Sequence, residues 1–278
     1  MQLIEGKKIA EKYLENLKQE IKQMSQKPCL AVILVGDDEA SKIYVKNKNK
    51  KAQLLGMKSV VINFPETVSE KELLNKIEEL NKDNSVSAIL VQLPLPKHID
   101  TNKIINAIDI KKDVDGFKPE NTGRIAQNDE PFSYPCTPLG IIKLFEEYKI
   151  ELEGKNVVVI GRSNIVGKPL SLMLMNKNAT VTLTHSKTLN LKEITSNADI
   201  LICATGNPKM VKRDWVKQNA VVIDVGIRKN TDNKLSGDVD FEDVKDKCSF
   251  ITPVPGGVGP MTIAMLMHNT VQLHKRFK

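Results

Sequence analysis

The sequence predicts an α/β protein of two domains, because short apolar runs rich in β-branched residues alternate with longer amphipathic segments. This alternation is typical of βαβ units around a mostly parallel sheet. At 278 residues the chain is also longer than one average domain. The alternation stops between Ile110 and Pro138, where Asp, Asn, Gly and Pro accumulate over a stretch that is long for a connector. We therefore place a domain boundary near Pro138.

The predicted elements follow in order along the chain. The first helix runs from Lys7 to about Met24, and the second from about Glu39 to Leu55, with Gly56 suited to cap its C-terminus. A final helix from Pro260 to about Phe277 is expected to pack back on the first domain. The predicted strands are Leu30–Val35, Lys58–Phe64, Ala88–Gln92, Asn156–Ile160, Thr180–Thr184, Ile200–Ala204, Ala220–Asp224 and Cys248–Ile251. The predicted domains are thus residues 1–137 with 260–278, and residues 138–259.

Composition and charge narrow the class of protein. No apolar stretch reaches the roughly 18 residues of a membrane span, and the first residues lack the apolar region of a secretory signal, so we expect a cytoplasmic protein without a membrane partner. The net charge of +7 comes from scattered lysines without interleaved aromatic residues, which argues against a nucleic-acid partner. A solvated lysine-rich surface explains this charge by default, and the charge would also favour anionic small molecules such as dinucleotides. The four cysteines and four histidines show no metal-ligand spacing, so no metal site is predicted.

A nucleotide site is predicted in the second domain. The unbroken apolar strand Val157–Ile160 leads into a turn bounded by Gly161 and Gly167, and then into a helix. This arrangement directs backbone N–H groups and a helix dipole at a pyrophosphate. The glycines are six residues apart and do not form GxGxxG, so a plain turn is the alternative. Two later strand ends, Ala204–Gly206 and Asp224–Ile227, place glycines where either a cofactor or core packing requires them.

The cofactor type follows from the end of the next strand. An NAD site usually has an Asp or Glu there to bind the ribose hydroxyls. Here the strand ends in Thr184-His185-Ser186-Lys187, with no acidic residue in reach. Arg162 and Ser186 can instead hold a 2′-phosphate, which a carboxylate would repel. The sequence therefore favours NADP over NAD.

Candidate catalytic residues lie in the first domain. Tyr44 and Lys48 are four residues apart on the second predicted helix, so their side chains share one face. Neighbouring lysines surround Lys48 with like charge, which would lower its pKa towards the range of a general acid or base. The alternative is an ordinary solvated, lysine-rich helix face. Gln92 ends a buried strand and precedes two prolines. An amide at the carboxyl end of a strand is well placed to face a ligand crevice.

Two further motifs are unusual for plain structure. Asp113-Val114-Asp115-Gly116 opens the irregular segment, where one acid can turn the chain and the other is left to bind a cationic or amide-like group. The run Pro253–Thr262 contains three prolines and three glycines, which fix the backbone and allow another surface to approach closely. A wall around a ligand and a rigid turn are both consistent with this run.

Together these residues resemble the bifunctional methylenetetrahydrofolate dehydrogenase/cyclohydrolases of one-carbon metabolism. The resemblance covers essentially the whole chain. It rests on six motifs in the family's order, namely Tyr44-x-x-x-Lys48, Gln92-Leu93-Pro94-Leu95-Pro96, Asp113-Val114-Asp115-Gly116, Pro135-Cys136-Thr137-Pro138, Gly161-Arg162-Ser163 through Gly167-x-Pro169, and Pro253 through Thr262.

The resemblance implies an N-terminal α/β substrate domain and a C-terminal Rossmann-like NADP-binding domain, with a cleft between them, in a homodimer. Lys48 would be the catalytic lysine, hydrogen-bonded and tuned by Gln92, while Tyr44 lies against the folate and Asp115 anchors the amino edge of its pterin. The folate cleft would be bordered by Pro255, Gly256 and Gly257. NADP would contact Gly161, Arg162, Ser163, Ser186 and Ile227. Roles in purine, methionine and histidine biosynthesis are implied as well.

The chemistry of the substrate agrees with these residues. Two nitrogens flank the bridging carbon of methylenetetrahydrofolate and can expel hydride, so oxidation needs positioning more than a base. Hydrolysis of the methenyl product to 10-formyltetrahydrofolate needs a proton shuttle, for which Lys48 is the candidate. The alternatives are a dehydrogenase without hydrolase activity, a shikimate- or amino-acid-type NADP dehydrogenase, and a dinucleotide-binding sensor without enzymatic activity.

Overall fold

The computed structural model describes residues 1–229 and 235–278. The helices in chain order are α1 (Gly6–Gln23), α2 (Glu39–Leu54), α3 (Glu70–Lys82), α4 (Thr101–Ala107), α5 (Pro119–Ala126), α6 (Cys136–Glu147), α7 (Gly167–Met175), α8 (Leu191–Thr195), α9 (Phe241–Val244) and α10 (Val258–Phe277). The strands are β1 (Gln2–Leu3), β2 (Cys29–Val35), β3 (Lys58–Phe64), β4 (Ala88–Val91), β5 (Asn156–Ile160), β6 (Thr180–Thr184), β7 (Ile200–Cys203), β8 (Ala220–Asp224), β9 (Arg228–Lys229), β10 (Leu235–Ser236) and β11 (Cys248–Ile251).

The chain forms two compact units, which we name after their larger sheets. The six-stranded unit comprises Met1–Glu11, Ile125–Asn128 and Pro135–Met265, and the three-stranded unit comprises Lys12–Arg124, Asp129–Tyr134 and Leu266–Lys278. None of the described helices is long and apolar enough to cross a membrane.

The sheet of the six-stranded unit has the order β1-β11-β8-β7-β5-β6, with every pair parallel. Strands β7 and β8 are buried along their whole length, and their side chains are apolar on both faces of the sheet except for Asp224 at the end of β8. The chain moves from β5 to β6 on one side and then returns to β7 on the other side of β5. The strand order therefore reverses at β5, and in such sheets the carboxyl ends of the strands at the reversal flank the ligand site.

The sheet of the three-stranded unit is also parallel and has the order β3-β2-β4. Its central strand β2 is fully buried, and its apolar side chains pack with α3 residues such as Leu73 and Ile77 in one core cluster. A capping box at Ser69 and Glu72 starts α3, since each side chain accepts a backbone N–H of the other residue. This sheet reverses its strand order at β2, so the carboxyl ends of β2 and β4 meet at one edge.

The structure confirms most predicted elements. Five strands have the predicted bounds, and the other three differ by one residue at one end. Helix α1 begins and ends one residue earlier than predicted, and α2 ends one residue earlier. Gly56 follows α2 with a φ of +84°, the conformation that favours glycine after a helix. Residues 266–277 of α10 belong to the three-stranded unit, which contains most of the predicted first domain. The domain limits at 137/138 and 259/260 stay a prediction, and Pro138 lies in the first turn of α6.

Other features differ from the sequence prediction, among them strands β9 and β10, which were not predicted, and the start of α10 at Val258 instead of Pro260. The segment predicted to be irregular contains helix α5. Pro119 is the first residue of this helix, a position at which proline is well tolerated. Strand β1 was not predicted because it is two residues long and exposed, so it has no apolar pattern. Its backbone pairs with β11, and that tertiary contact alone makes it a strand.

Candidate functional site

A lysine–glutamine pair lies at the edge where β2 and β4 end. The backbone N–H of Gln92 donates to the carbonyl of Ile33 at 2.9 Å, which holds Gln92 directly after β4. Lys48 Nζ, on α2, donates to Gln92 Oε1 at 3.0 Å. Gln92 Nε2 donates to the carbonyl of Leu93 at 2.7 Å, so the amide is oriented with its oxygen towards the amine. Both side chains are half-buried, and the pair thus holds an amine in a fixed, solvent-accessible position.

Tyr44 lies one turn before Lys48 on α2, and it is 40% exposed. The shared helix face that the sequence predicts is therefore present, and it carries an exposed aromatic side chain one turn from Lys48. The hydrogen bond between Lys48 and Gln92 that the resemblance implies is present too. The catalytic roles of these three residues stay a prediction.

The two acids of the Asp113–Gly116 turn have different environments. Asp113 is 1% exposed, and its Oδ2 accepts from the N–H of Lys118 at 3.0 Å and from Nδ2 of Asn121 at 2.9 Å. Burial raises the pKa of Asp113 to about 6, and the charge of Asp115 contributes to the rise. Asp115 is half-buried. Asp113 therefore shapes the turn, and the binding role of Asp115 stays a prediction.

Two buried asparagines fix this turn, and the sequence analysis did not identify them. Asn121 Oδ1 accepts from the N–H groups of Phe132 at 2.9 Å and Ser133 at 3.3 Å. Asn269 Nδ2 donates to the carbonyls of Val114 at 2.9 Å and Tyr134 at 2.8 Å. The one available signal was an asparagine within the mostly apolar part of helix α10. The partners are distant in sequence, so the pattern by itself does not identify them.

The turn after β5 is closely packed. Gly161 has a φ of +117°, and a Cβ at this position would lie 2.2 Å from the carbonyl oxygen of Ala204. A Cβ on Gly167 would lie 1.7 Å from the carbonyl oxygen of Gly161. Ser163 Oγ accepts from the N–H groups of Val166 at 3.2 Å and Gly167 at 3.4 Å, so it holds the loop that leads into α7. The serine predicted to contact the cofactor thus also shapes the loop.

The other predicted cofactor residues also follow strand ends of this sheet. Arg162 and Ser186 are exposed and follow β5 and β6, which pair in parallel register. His185 holds the loop after β6, because its Nδ1 accepts from the N–H of Lys187 at 3.1 Å. Ile227 follows β8 and is 39% exposed. The structure therefore places these residues at the carboxyl edge of one sheet, and their contacts with NADP stay a prediction.

The proline–glycine run packs on the start of α1. Gly256 has a φ of +107°, and its carbonyl oxygen accepts from the N–H of Lys7 at 2.8 Å. A Cβ on Gly6 would lie 2.0 Å from the carbonyl oxygen of Gly257. Close backbone packing therefore requires glycine at position 6, and the positive φ favours glycine at position 256. Pro255 is exposed beside them, and the role of the run as a border of the folate site stays a prediction.

A buried carboxyl group ends β8. Asp224 is 4% exposed, and burial raises its pKa to about 7, with the charge of Asp238 contributing to the rise. A Cβ on Gly226 would lie 2.3 Å from Asp238 Oδ1, so core packing explains this glycine. A Cβ on Gly206 would lie 3.0 Å from Nε of Arg228.

Over residues 1–229 and 235–278, no three His, Cys, Asp or Glu side chains are grouped so that they can hold a metal ion.

Comparisons with known proteins cover the whole chain. Residues 4–115 match the family model described as "Tetrahydrofolate dehydrogenase/cyclohydrolase, catalytic domain". Residues 135–278 match a second model, described as "Tetrahydrofolate dehydrogenase/cyclohydrolase, NAD(P)-binding domain". A curated relative from Campylobacter hominis, named "Bifunctional protein FolD", is 57% identical over 278 residues, which cover 99% of this chain and 98% of the relative.

Solved structures agree with these matches. The FolD methylenetetrahydrofolate dehydrogenase/cyclohydrolase of Campylobacter jejuni is 50% identical with a TM-score of 0.96, and the match covers 100% of both chains. The Trypanosoma brucei dehydrogenase-cyclohydrolase, solved with NADP and an inhibitor, is 35% identical with a TM-score of 0.94 over 99% of this chain and 97% of that one. The shikimate dehydrogenase of Aquifex aeolicus is 15% identical with a TM-score of 0.56, a likeness of fold alone.

Proposed function

The chain belongs to the tetrahydrofolate dehydrogenase/cyclohydrolase family, and from this premise we propose which of its residues carry out each reaction. The enzyme oxidises 5,10-methylenetetrahydrofolate to 5,10-methenyltetrahydrofolate with NADP, and it hydrolyses the product to 10-formyltetrahydrofolate. It is thus an oxidoreductase and a hydrolase of folate one-carbon metabolism. The shikimate-type, sensor and dehydrogenase-only alternatives are not favoured, since the full-length relatives are bifunctional.

The cofactor residues of our proposal lie at the carboxyl ends of β5, β6 and β8. Bound NADP supplies the hydride acceptor. Gly161 and Ser163 shape the turn that would receive the pyrophosphate, and the tight approach of this turn to Ala204 leaves room for no side chain. Arg162 and Ser186 would hold the 2′-phosphate, which is consistent with the absence of an acid after β6. Ile227 would contact the cofactor with its exposed apolar side chain.

In the oxidation, the residues of the three-stranded unit would position the folate. Asp115 would accept hydrogen bonds from the amino edge of the pterin, and the ring of Tyr44 would lie against the folate. Pro255, Gly256 and Gly257 would border it. Because the nitrogens of the substrate expel the hydride, none of these residues has to remove a proton from carbon.

In the hydrolysis, Lys48 would move the proton. Water must add to the methenyl carbon and a carbon–nitrogen bond must then break, which requires proton removal from the water and proton delivery to the leaving nitrogen. The observation that supports Lys48 is its 3.0 Å hydrogen bond to the oriented amide of Gln92. Gln92 Oε1 accepts a hydrogen bond from the amine and so fixes the direction in which the other N–H groups of Lys48 point.

Replacing Lys48 separates the two reactions. We expect Lys48→Met to lower the hydrolysis of methenyltetrahydrofolate by about 100-fold or more, the usual contribution of a general acid or base, and to affect NADP reduction less. Lys42→Met is the matched control, since Lys42 lies on the same helix and is 52% exposed in an ion pair with Asp37. Wild-type hydrolysis in Lys48→Met would contradict the assignment.

A homodimer is also proposed. Strand β3 is an edge strand of its sheet, with Val60 47% exposed, and Ile43 and Leu54 on the adjacent helix α2 are 59% and 57% exposed. Unpaired strand edges with exposed apolar side chains favour pairing with a second chain. Sedimentation of the wild type and of Val60→Lys tests this, because a charge on the edge should favour the monomer. A sedimentation coefficient that stays that of a dimer in Val60→Lys would contradict this surface.

Three finer predictions are carried over from the sequence analysis alone. They are a cytoplasmic location, the absence of nucleic-acid and membrane partners, and roles in purine, methionine and histidine biosynthesis.

A further inference from the structure

Two turns at the carboxyl edge of the six-stranded sheet are held by buried carboxyl groups. Asp238 is 1% exposed, and its Oδ2 accepts from the N–H groups of Thr205 at 2.6 Å and Gly206 at 3.2 Å. These two residues form the turn after β7. The backbone of this turn is thus bonded to a side chain 32 or 33 residues later in the chain.

The turn after β8 is held in the same way by Asp224. Its Oδ1 accepts from the N–H groups of Gly226 at 3.1 Å and Asp238 at 2.9 Å, and its Oδ2 accepts from the N–H of Val239 at 3.0 Å. Its own N–H donates to Thr252 Oγ1 at 2.7 Å. Asp224 therefore fixes both its own turn and the segment that carries Asp238, and the two carboxyl groups form one network.

Two glycines make room for this network. A Cβ on Gly226 would lie 2.3 Å from Asp238 Oδ1, and one on Gly237 would lie 1.9 Å from Asp224 Oδ2. Buried carboxyl groups are costly unless they are hydrogen-bonded. Two carboxyl groups are nevertheless buried here, and two glycines leave space for them. Apolar packing alone does not account for this arrangement, which indicates a role of these carboxyl groups in shaping the turns.

The position in the sheet indicates what the turns serve. The 2′-phosphate end of a dinucleotide lies over the strand that follows the glycine turn, here β6, so the nicotinamide end lies over the other side of the strand reversal, at β7 and β8. The N–H groups of Thr205 and Gly206 are already bonded to Asp238 and are not available for a phosphate. This part of the edge is therefore suited to the uncharged carboxamide and ribose.

We propose that Asp224 and Asp238 are positioning residues, which hold the turns after β7 and β8 in the shape that receives the nicotinamide half of NADP. The inference rests on the proposed cofactor site and extends it to residues that cannot touch the cofactor, since both are almost fully buried. They act through the backbone of Thr205, Gly206 and Gly226.

The test separates cofactor positioning from stability. Asp238→Ala removes the acceptor of two N–H groups, whereas Asp238→Asn retains one oxygen at the same place. We expect Asp238→Ala to raise the KM for NADP at least tenfold, Asp238→Asn to raise it less, and both to leave the KM for methylenetetrahydrofolate within twofold. Hydrolysis of methenyltetrahydrofolate, assayed without NADP, should also stay within twofold. Asp240→Asn is the control, because Asp240 lies on the same segment and pairs with Lys212 and Lys209 at the surface.

Each outcome bears on the proposal. An unchanged KM for NADP in Asp238→Ala would overturn it, and so would a parallel loss of both activities, which indicates a role in folding alone. If Asp238→Ala does not fold, the test is made with Asp238→Asn. We then expect its KM for NADP to rise at least threefold while its hydrolysis of methenyltetrahydrofolate stays unchanged. Failure of the proposed function is distinguishable, because the wild-type protein would then itself fail to reduce NADP or to hydrolyse the methenyl substrate.

Discussion

Replacing Gly161 with alanine tests the packing of the cofactor turn most directly. Gly161 has a φ of +117°, and in this half of backbone space an L-residue costs about 1–2 kcal/mol. The new Cβ would lie 2.2 Å from the carbonyl oxygen of Ala204, whereas ordinary contacts begin at 3.4 Å. The ends of β5 and β7 would have to separate by about 1.2 Å, the difference between these distances, and such overpacking costs about 1–3 kcal/mol. Together these two costs predict that Gly161→Ala lowers the free energy of unfolding by about 2–5 kcal/mol.

Gly154→Ala provides the matched control in the same unit. Gly154 has a φ of +70°, but a Cβ there meets nothing within 4 Å, so it carries the backbone cost without the overlap. We expect Gly154→Ala to lose about 1–2 kcal/mol with an unchanged KM for NADP. Urea unfolding of both variants gives the difference, and steady-state kinetics gives the KM for NADP, which should rise at least tenfold in Gly161→Ala. Equal stability of the two variants, with equal KM values for NADP, would refute the reasoning.

Three further predictions concern the three-stranded unit. Lys112→Met should lower the free energy of unfolding by about 3 kcal/mol or more, because the buried amine of Lys112 donates to three backbone carbonyls at 2.7–2.8 Å. The control is Lys111→Met, which replaces an exposed lysine and should lower the free energy of unfolding by less than about 0.5 kcal/mol in the same urea titration. The raised pKa of Asp113, about 6, means that the folded protein keeps a proton which the unfolded chain releases above about pH 4. Stability should therefore fall as pH rises from 4 to 6, and the stability of wild type relative to Asp113→Asn should drop by about 2 kcal/mol between pH 4.5 and 7; a constant difference would contradict this. Ser69→Ala should cost about 1 kcal/mol by loss of the cap of α3, measured by thermal unfolding, and no change would show that the capping box is dispensable.

Much of the fold could be predicted because its signals are local. The strand β5 is an unbroken apolar run, and α2 ends before Gly56, so burial and backbone conformation are visible within a few residues. Strand β1 had no such signal, since its two exposed residues are a strand only through pairing with β11. Helix α5 was missed because its Asn and Gly residues have low helix propensity. The hydrogen bonds of Asn121 to Asp113, Phe132 and Ser133 tie it to the unit.

The sequence by itself determined the α/β class, the positions of eight strands, the motifs that identify the family and the Asp113–Asp115 pair with its two open roles. The tertiary structure decided which acid shapes the turn, because burial and the bonds from Lys118 and Asn121 select Asp113. It also brought together partners that no local pattern pairs, such as Asn269 with Val114, 155 residues apart, and Asp238 with Thr205, 33 residues apart. The physical reason is that apolar periodicity depends on neighbours in sequence, whereas a buried polar group finds its partner only after the order of the strands has placed distant backbone within hydrogen-bonding distance.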